Sequence, residues 1–157
     1  MSLNYPTAPG KPVLIQPANW RDLNAIRKLE QVCFPKDAWP LWDIIGVLTL
    51  SNVVRFKAIA GEQLVGFIAA DVRPNQNTAW IATVGVLPEY RQGGVGGALL
   101  QACEEHIQLP RVRLNVRVSN EAAIRLYRHN GYAQTGLWPG YYQDGEDAFI
   151  FEKELKK

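Results

Sequence analysis

Cysteine and histidine are scarce in this chain, and a long apolar run is missing. Cys33 and Cys103 lie far apart with no CxxC spacing, and only two histidines accompany them, so no zinc or iron–sulfur ligand set is suggested and no metal is expected. Both thiols read as ordinary buried cysteines. The most apolar stretch, Leu41 to Leu50, is interrupted by Asp43 and has about half of the roughly 20 residues that a membrane helix needs. Nothing at the start resembles a secretory signal, so a cytoplasmic protein with no membrane partner is expected. A formal charge of +2 is too small to argue for nucleic acid. Internal repeats, low-complexity tracts and interdomain linkers are lacking as well.

What is present is an ordinary globular composition, 47% hydrophobic and 20% charged over 157 residues, enough for one domain with its own core. Pro6, Pro9, Gly10 and Pro12 mark residues 1–12 as a flexible extension ahead of a single domain over 13–157. Strands are expected at 13–16, 53–60, 63–72, 78–87, 112–118, 132–137 and 148–154, where β-branched and aromatic residues run between turn signals. Helices are expected at 18–33, 39–50, 94–107 and 120–130 from apolar residues at helical spacing, such as Leu23, Ile26, Leu29 and Val32 in the first. Pro40 suits the opening turn of the second, and Gly131 closes the last. The fold class is therefore α+β: a mixed, mostly antiparallel sheet of about seven strands flanked by about four helices.

One segment carries chemistry on its face. A strand ending at Leu87-Pro88, a short loop and a helix opening at Gly94 aim unpaired N–H groups and the positive end of a helix dipole at one point. Gly93, Gly94, Gly96 and Gly97 keep side chains out of the way there, and Arg91 can add a charge-assisted bond, so the turn is an anion site. A glycine-rich connection without a ligand remains the alternative. No Lys-Ser/Thr follows the glycines as a P-loop requires, and no βαβ unit opens a dinucleotide fold.

Val84-Gly85-Val86-Leu87-Pro88-Glu89-Tyr90-Arg91-Gln92-Gly93-Gly94-Val95-Gly96 resembles the coenzyme A-binding segment of the GNAT superfamily of N-acetyltransferases. Downstream, Asn115 to Asn120, Ala122-Ala123-Ile124, Leu126-Tyr127 and Gly131-Tyr132 are similar to that family's V-x-x-x-N-x-x-A-x-x-L-Y-x-x-x-G-F/Y pattern. The resemblance spans about residues 13 to 155. It implies acetyl-coenzyme A as co-substrate, held by Val84, Gly85 and Val86 along its pantetheine arm. Arg91, Gln92, Gly93, Gly94, Val95, Gly96 and Gly97 would hold the pyrophosphate. Asn120 would bond the pantetheine, and Tyr127 would serve as general acid for the leaving thiolate. From the residues alone, Asn120 reads rather as a helix N-cap and Tyr127 as an aromatic on a packed face.

For the acceptor, Tyr141-Tyr142-Gln143-Asp144-Gly145-Glu146-Asp147-Ala148 resembles the corresponding turn of enzymes that acetylate protein N-termini, including ribosomal-protein alanine acetyltransferases. Cys33-Phe34-Pro35 is similar to their peptide-groove loop. Phe34, Pro35, Tyr141 and Tyr142 are thus implied substrate contacts, and a protein or peptide N-terminus, a ribosomal protein among the candidates, is the implied partner of a monomer or weak dimer. A plain Asp-Gly hairpin is the competing reading. Asn115 stands at the position of the family's general base and cannot take a proton. Asp37, Glu89 or a water held by Tyr141 or Tyr142 are the substitutes.

An α-amine titrates near 7.7–8.0 and a lysine near 10.4, so at pH 7 deprotonation costs about 1.2 kcal/mol for the first and about 4.6 kcal/mol for the second. A site without a strong base therefore favours the α-amine. Acetylation of lysine or a small amine, and a catalytically silent acetyl-coenzyme A-binding domain, are the alternatives.

Overall fold

The computed structural model describes residues 3–5 and 12–156. In chain order the elements are β1 (Leu3–Tyr5), β2 (Val13–Pro17), α1 (Leu23–Cys33), α2 (Leu41–Thr49), β3 (Val53–Ala60), β4 (Gln63–Arg73), β5 (Thr78–Val86), α3 (Val95–Glu105), β6 (Arg111–Arg117), α4 (Glu121–His129), β7 (Ala133–Trp138) and β8 (Ala148–Glu154). The α+β sheet with four helices expected from the residues is present. Among the described residues it has eight strands in the order β1-β2-β3-β4-β5-β6-β8-β7, one more than the roughly seven expected. The extra strand lies inside the extension expected over 1–12, where Leu3–Tyr5 pair antiparallel with Val13–Ile15; the rest of the expected extension, apart from Pro12, lies outside the described residues.

Local signals explain most boundaries. Asn19 and Asp22 cap each other reciprocally, Asn19 Oδ1 accepting the Arg21 N–H at 2.9 Å and Asp22 Oδ2 accepting the Asn19 N–H at 2.9 Å. That box closes a 3-10 turn over Trp20–Asp22, so α1 starts at Leu23 rather than near Ala18. Its packed face is Ile26, Leu29 and Glu30. Val32, expected on that face, is 54% exposed, because the i, i+3, i+4 row from Ile26 runs through Leu29 and Glu30 and leaves Val32 a turn-fraction away.

Hydrophobic cores form on both faces of the sheet. On one face α3 and α4 cover a core that includes Leu99, Leu114 and Phe151; on the other α1 and α2 cover Ile26, Leu29, Ile44 and Phe67. Strand β4 is sandwiched between them and is buried continuously from Leu64 to Ala70, which is why it lacks the alternation of a half-exposed strand. Each fully buried Leu, Ile or Phe contributes roughly 1.5–3 kcal/mol. Leu99 packs so closely on β4 that a Cβ on Gly66 would meet its Cδ1 at 3.0 Å.

One irregularity positions the site. All strand pairs are antiparallel except β5 with β6, which are parallel and paired only at Thr78–Trp80 with Arg111–Arg113. Beyond that point β5 continues along β4 to Val86, and β6 continues along β8 to Arg117. The sheet is thus joined at one end and split at the other. Where the split begins, Ala69 faces Thr83 and Ala70 faces Ile81, leaving Ala82 as an extra residue in β5. A bulge of this kind bends the strand and sharpens its twist.

Candidate active site

The split opens into two cavities that meet. The larger, about 1050 Å³, is lined by Val84, Gly85 and Val86 of β5, by Arg91, Gln92, Gly94, Gly96 and Gly97 of the glycine turn, and by the facing side of α4. Helix α3 begins at Val95 with no side-chain cap and with Gly94 in the left-handed region at φ 86°, a conformation that costs a β-carbon residue about 1–2 kcal/mol. Its first N–H groups are therefore free for an anion. Arg125, Arg128 and His129 of α4 line the same cleft, and the two arginines add positive charge to it. Arg91 donates from Nε to the Val86 carbonyl at 2.9 Å, which ties the turn to the end of β5. Gly96 has a second constraint: a Cβ there would meet Leu126 Cδ2 at 3.0 Å, so the close approach of α3 to α4 also requires it.

The smaller cavity, about 580 Å³, lies on the α1 side of the split. Phe34, Val84, Asn120 and Tyr127 line both cavities and mark their junction. Asn120 caps α4, its Oδ1 accepting the Ala123 N–H at 3.2 Å. Tyr127 is buried against Tyr132 and Phe151, with ring centres 6.0 and 6.3 Å away, and burial raises its hydroxyl well above the ordinary tyrosine value. The phenol therefore keeps its proton at neutral pH.

The rim of the smaller cavity is held by ions. Arg117, at the end of β6, donates to both oxygens of Asp37 at 2.8 Å each, to Asp144 at 2.9 and 3.0 Å and to Glu146 at 2.7 Å. Its guanidinium carbon lies 4.1 Å from the ring centre of Tyr142. Tyr141 stands 5.0 Å from both Tyr142 and Trp138, edge to face. Gly145, at φ 89°, turns the β7–β8 loop, and Asp147 Oδ1 accepts the Gly140 N–H at 2.9 Å. The strands part at Trp138 and Ala148, so the connection is a longer loop than a plain Asp-Gly hairpin; inside it the Gly145 N–H donates to the Tyr142 carbonyl at 2.9 Å, and Tyr141 and Tyr142 both line the cavity. Burial, with Tyr141 and Asp37 adding to it, pushes the Tyr142 hydroxyl up to about 12.

Residues 23–132 match the family model described as the acetyltransferase (GNAT) family. The chain belongs to this family. It is an N-acetyltransferase, and its relatives agree in kind. An N-alpha-acetyltransferase of Sulfurisphaera tokodaii is 29% identical over 160 residues, covering 93% of this chain and 95% of the relative. An uncharacterised N-acetyltransferase of Methanocaldococcus jannaschii is 31% identical over 146 residues, covering 90% and 92%. Among solved structures, the ribosomal-protein-S18-alanine N-acetyltransferase of Escherichia coli superposes with a TM-score of 0.81 at 26% identity, covering 92% of this chain and 95% of that one.

In this acetyltransferase most of the residues singled out by sequence converge on the split. Asn115, Tyr127, Phe34, Tyr141 and Tyr142 line the smaller cavity together. Gly93 and Val95 line neither cavity, and Val95 turns its side chain into the core at 1% exposure. Pro35 lines neither as well. Of the substitutes for a base, Glu89 lies exposed on the turn after β5 and lines neither cavity. Asp37 lines the smaller one, with both oxygens taken by Arg117.

Sequence reasoning missed Glu30, Arg117 and Trp80, which share the cavity with Asn115. Glu30 is signalled in the sequence only as a charge at a core-facing position of an amphipathic helix. Cys33 is half-buried rather than fully buried, donates to the Val86 carbonyl at 3.4 Å, and has its thiol pushed up chiefly by burial. Cys103 is buried, and burial pushes it up to about 12.

Proposed function

We propose that this enzyme transfers the acetyl group of acetyl-coenzyme A to the N-terminal α-amine of a protein or peptide. The observation that carries this reading is the meeting of two cavities at Phe34, Val84, Asn120 and Tyr127, one bearing an anion site and the other opening between α1 and the tyrosines of the β7–β8 loop. The larger cleft fits a coenzyme A thioester: its volume matches the upper range of cofactor sites, about 300–1,000 Å³. An uncapped helix start and the arginines Arg125 and Arg128 of α4 border this cleft, which suits the phosphates.

In the mechanism supported by these positions, Gly94, Gly96 and Gly97 leave backbone N–H groups open to the pyrophosphate, and Arg91 and Gln92 flank it. Val84, Gly85 and Val86 run beside the pantetheine arm, with Asn120 at the junction. Tyr127, kept protonated by burial, donates its hydroxyl proton to the departing thiolate. Phe34, Tyr141 and Tyr142 receive the first residues of the acceptor. Aromatic rings of this kind hold a backbone by stacking and hydroxyl bonds without demanding one sequence. Transfer is direct, with the amine attacking the thioester and no covalent enzyme species.

Relatives named N-alpha-acetyltransferase, and the structural likeness to an enzyme named for ribosomal-protein S18 alanine, support the α-amine over a lysine and make a ribosomal protein a fitting partner. Free thiols at Cys33 and Cys103 suit the reducing cytoplasm. Thiol release from acetyl-coenzyme A across peptides differing at their first two residues tests the proposal. One acetyl group located on the α-amine by fragmentation is the expected result. Exclusive modification of lysine, or no release with any free-amine peptide, sinks it.

A further inference from the structure

Among the described residues, three buried side-chain polar atoms have no hydrogen-bond partner: Glu30 Oε2, Asn115 Oδ1 and Trp80 Nε1. All three belong to residues lining the smaller cavity. Buried polar groups are otherwise paired in native proteins, and leaving one unpaired costs about 1–3 kcal/mol. The two acceptors among them, Glu30 Oε2 and Asn115 Oδ1, point to a ligand that donates to both, while Trp80 Nε1 is a donor and is not part of that pair. An ammonium group offers three donors and no acceptor.

Among the described residues, Glu30 is the acid lining this cavity that has no ion-pair partner. It is 2% exposed on the packed face of α1, and its Oε1 accepts the Thr83 hydroxyl at 2.7 Å just past the bulge in β5. Of the other charged groups lining the cavity, Asp37 is paired with Arg117 and Asp71 with Arg73, each at 2.8 Å. Tyr127, Tyr141 and Tyr142 line the same cavity, and Cys33 lies one turn further along α1. We propose that Glu30 is the general base of this enzyme: it accepts the proton of the acceptor amine, while Asn115 Oδ1 holds a second ammonium hydrogen. This rests on the acyl-transfer reading above.

The protons balance. One leaves the ammonium for Glu30 Oε2, and the freed nitrogen lone pair forms the C–N bond at the thioester carbonyl carbon as the C–S bond breaks. The thiolate takes the Tyr127 proton, the second amine proton restores that hydroxyl, and Glu30 returns its proton to water. Burial also raises the Glu30 carboxyl above the usual range, with the Thr83 hydroxyl and then the Trp39 backbone N–H opposing it. A base nearer to neutrality is better matched to its task.

The test is the pH profile of kcat/KM for Glu30→Gln and Thr83→Val, measured on whichever amine the wild-type enzyme acetylates. Glu30→Gln keeps the size and the Thr83 contact. It is expected to lower kcat at least about 10²-fold with acetyl-coenzyme A affinity unchanged, and to move the low-pH limb up towards the free amine, near 7.7–8.0 for an α-amine. Thr83→Val removes a bond that favours the charged carboxylate, so its limb also moves to higher pH, which a merely structural Glu30 would not cause. If Glu30→Gln does not fold, Thr83→Val decides alone. An unchanged rate and limb in Glu30→Gln, or an unmoved limb in Thr83→Val, overturns the proposal. Wild-type acetylation of lysine alone sinks the α-amine reading and leaves Glu30 testable, and no turnover of any amine sinks both.

Discussion

The guanidinium of Arg117 stacks on Tyr142, 4.1 Å from the ring centre, while its nitrogens bond Asp37, Asp144 and Glu146. One side chain at the end of β6 thereby joins the segment after α1 to the β7–β8 loop, two walls of the smaller cavity. A lysine cannot reproduce this fork, since it lacks the planar set of donors and stacks less well. Arg117→Lys is expected to raise the peptide KM about tenfold or more, at about 1.4 kcal/mol per factor of ten, with acetyl-coenzyme A affinity unchanged. Steady-state kinetics varied in each substrate separately will show it.

The same network makes the loop acid-sensitive. Asp144 titrates below its ordinary value, chiefly because it accepts the Glu146 N–H and then because of Arg117; Glu146 does so because of Ser119 and then Arg117. Depressed folded values mean that these carboxylates stabilise the fold above their unfolded values, about 3.9 and 4.3, and that the contribution disappears as pH falls through the folded ones. The melting temperature of wild type is expected to exceed that of Asp144→Asn/Glu146→Gln at pH 6, and the gap is expected to close below about pH 4. Calorimetry at both pH values will measure it.

Tyr127→Phe removes only the hydroxyl. The ring keeps its contacts with Tyr132 and Phe151, so the thermal midpoint should change little. Loss of the proton donor is expected to lower kcat at least about 10²-fold, with acetyl-coenzyme A binding near wild type by calorimetry.

Gly94→Ala tests the anion turn. A Cβ there meets nothing within 4 Å, so any effect comes from the backbone, which sits at φ 86°. A destabilisation of about 1–2 kcal/mol and weaker acetyl-coenzyme A binding are expected, since relaxing φ re-aims the first N–H groups of α3. Denaturant titration and a binding isotherm will read the two effects.

Seven of the strands and all four helices were legible from turn residues and periodicity, because those signals act over a few neighbours. Boundaries slipped where a side chain intervened, as at the Asn19–Asp22 box ahead of α1. Val32 was misplaced because four apolar residues at three-residue spacing drift around a helix of 3.6 residues per turn. The missing strand, Leu3–Tyr5, has too few residues to carry a period, and it exists through pairing with β2.

By itself the sequence determined the α+β class, the glycine-rich turn from Arg91 to Gly97 and the helix carrying Asn120 and Tyr127, since each is encoded within a short stretch of chain. Tertiary structure decided the rest. The split sheet depends on a bulge at Ala82 that exists only against β4. The smaller cavity joins α1, β5, β6 and the β7–β8 loop, so the pairing of Arg117 with Asp37, and the placing of Glu30 beside Thr83, are contacts across 80 and 53 positions. No local pattern specifies a partner at that separation, and burial of the intervening apolar surface is what brings the two together.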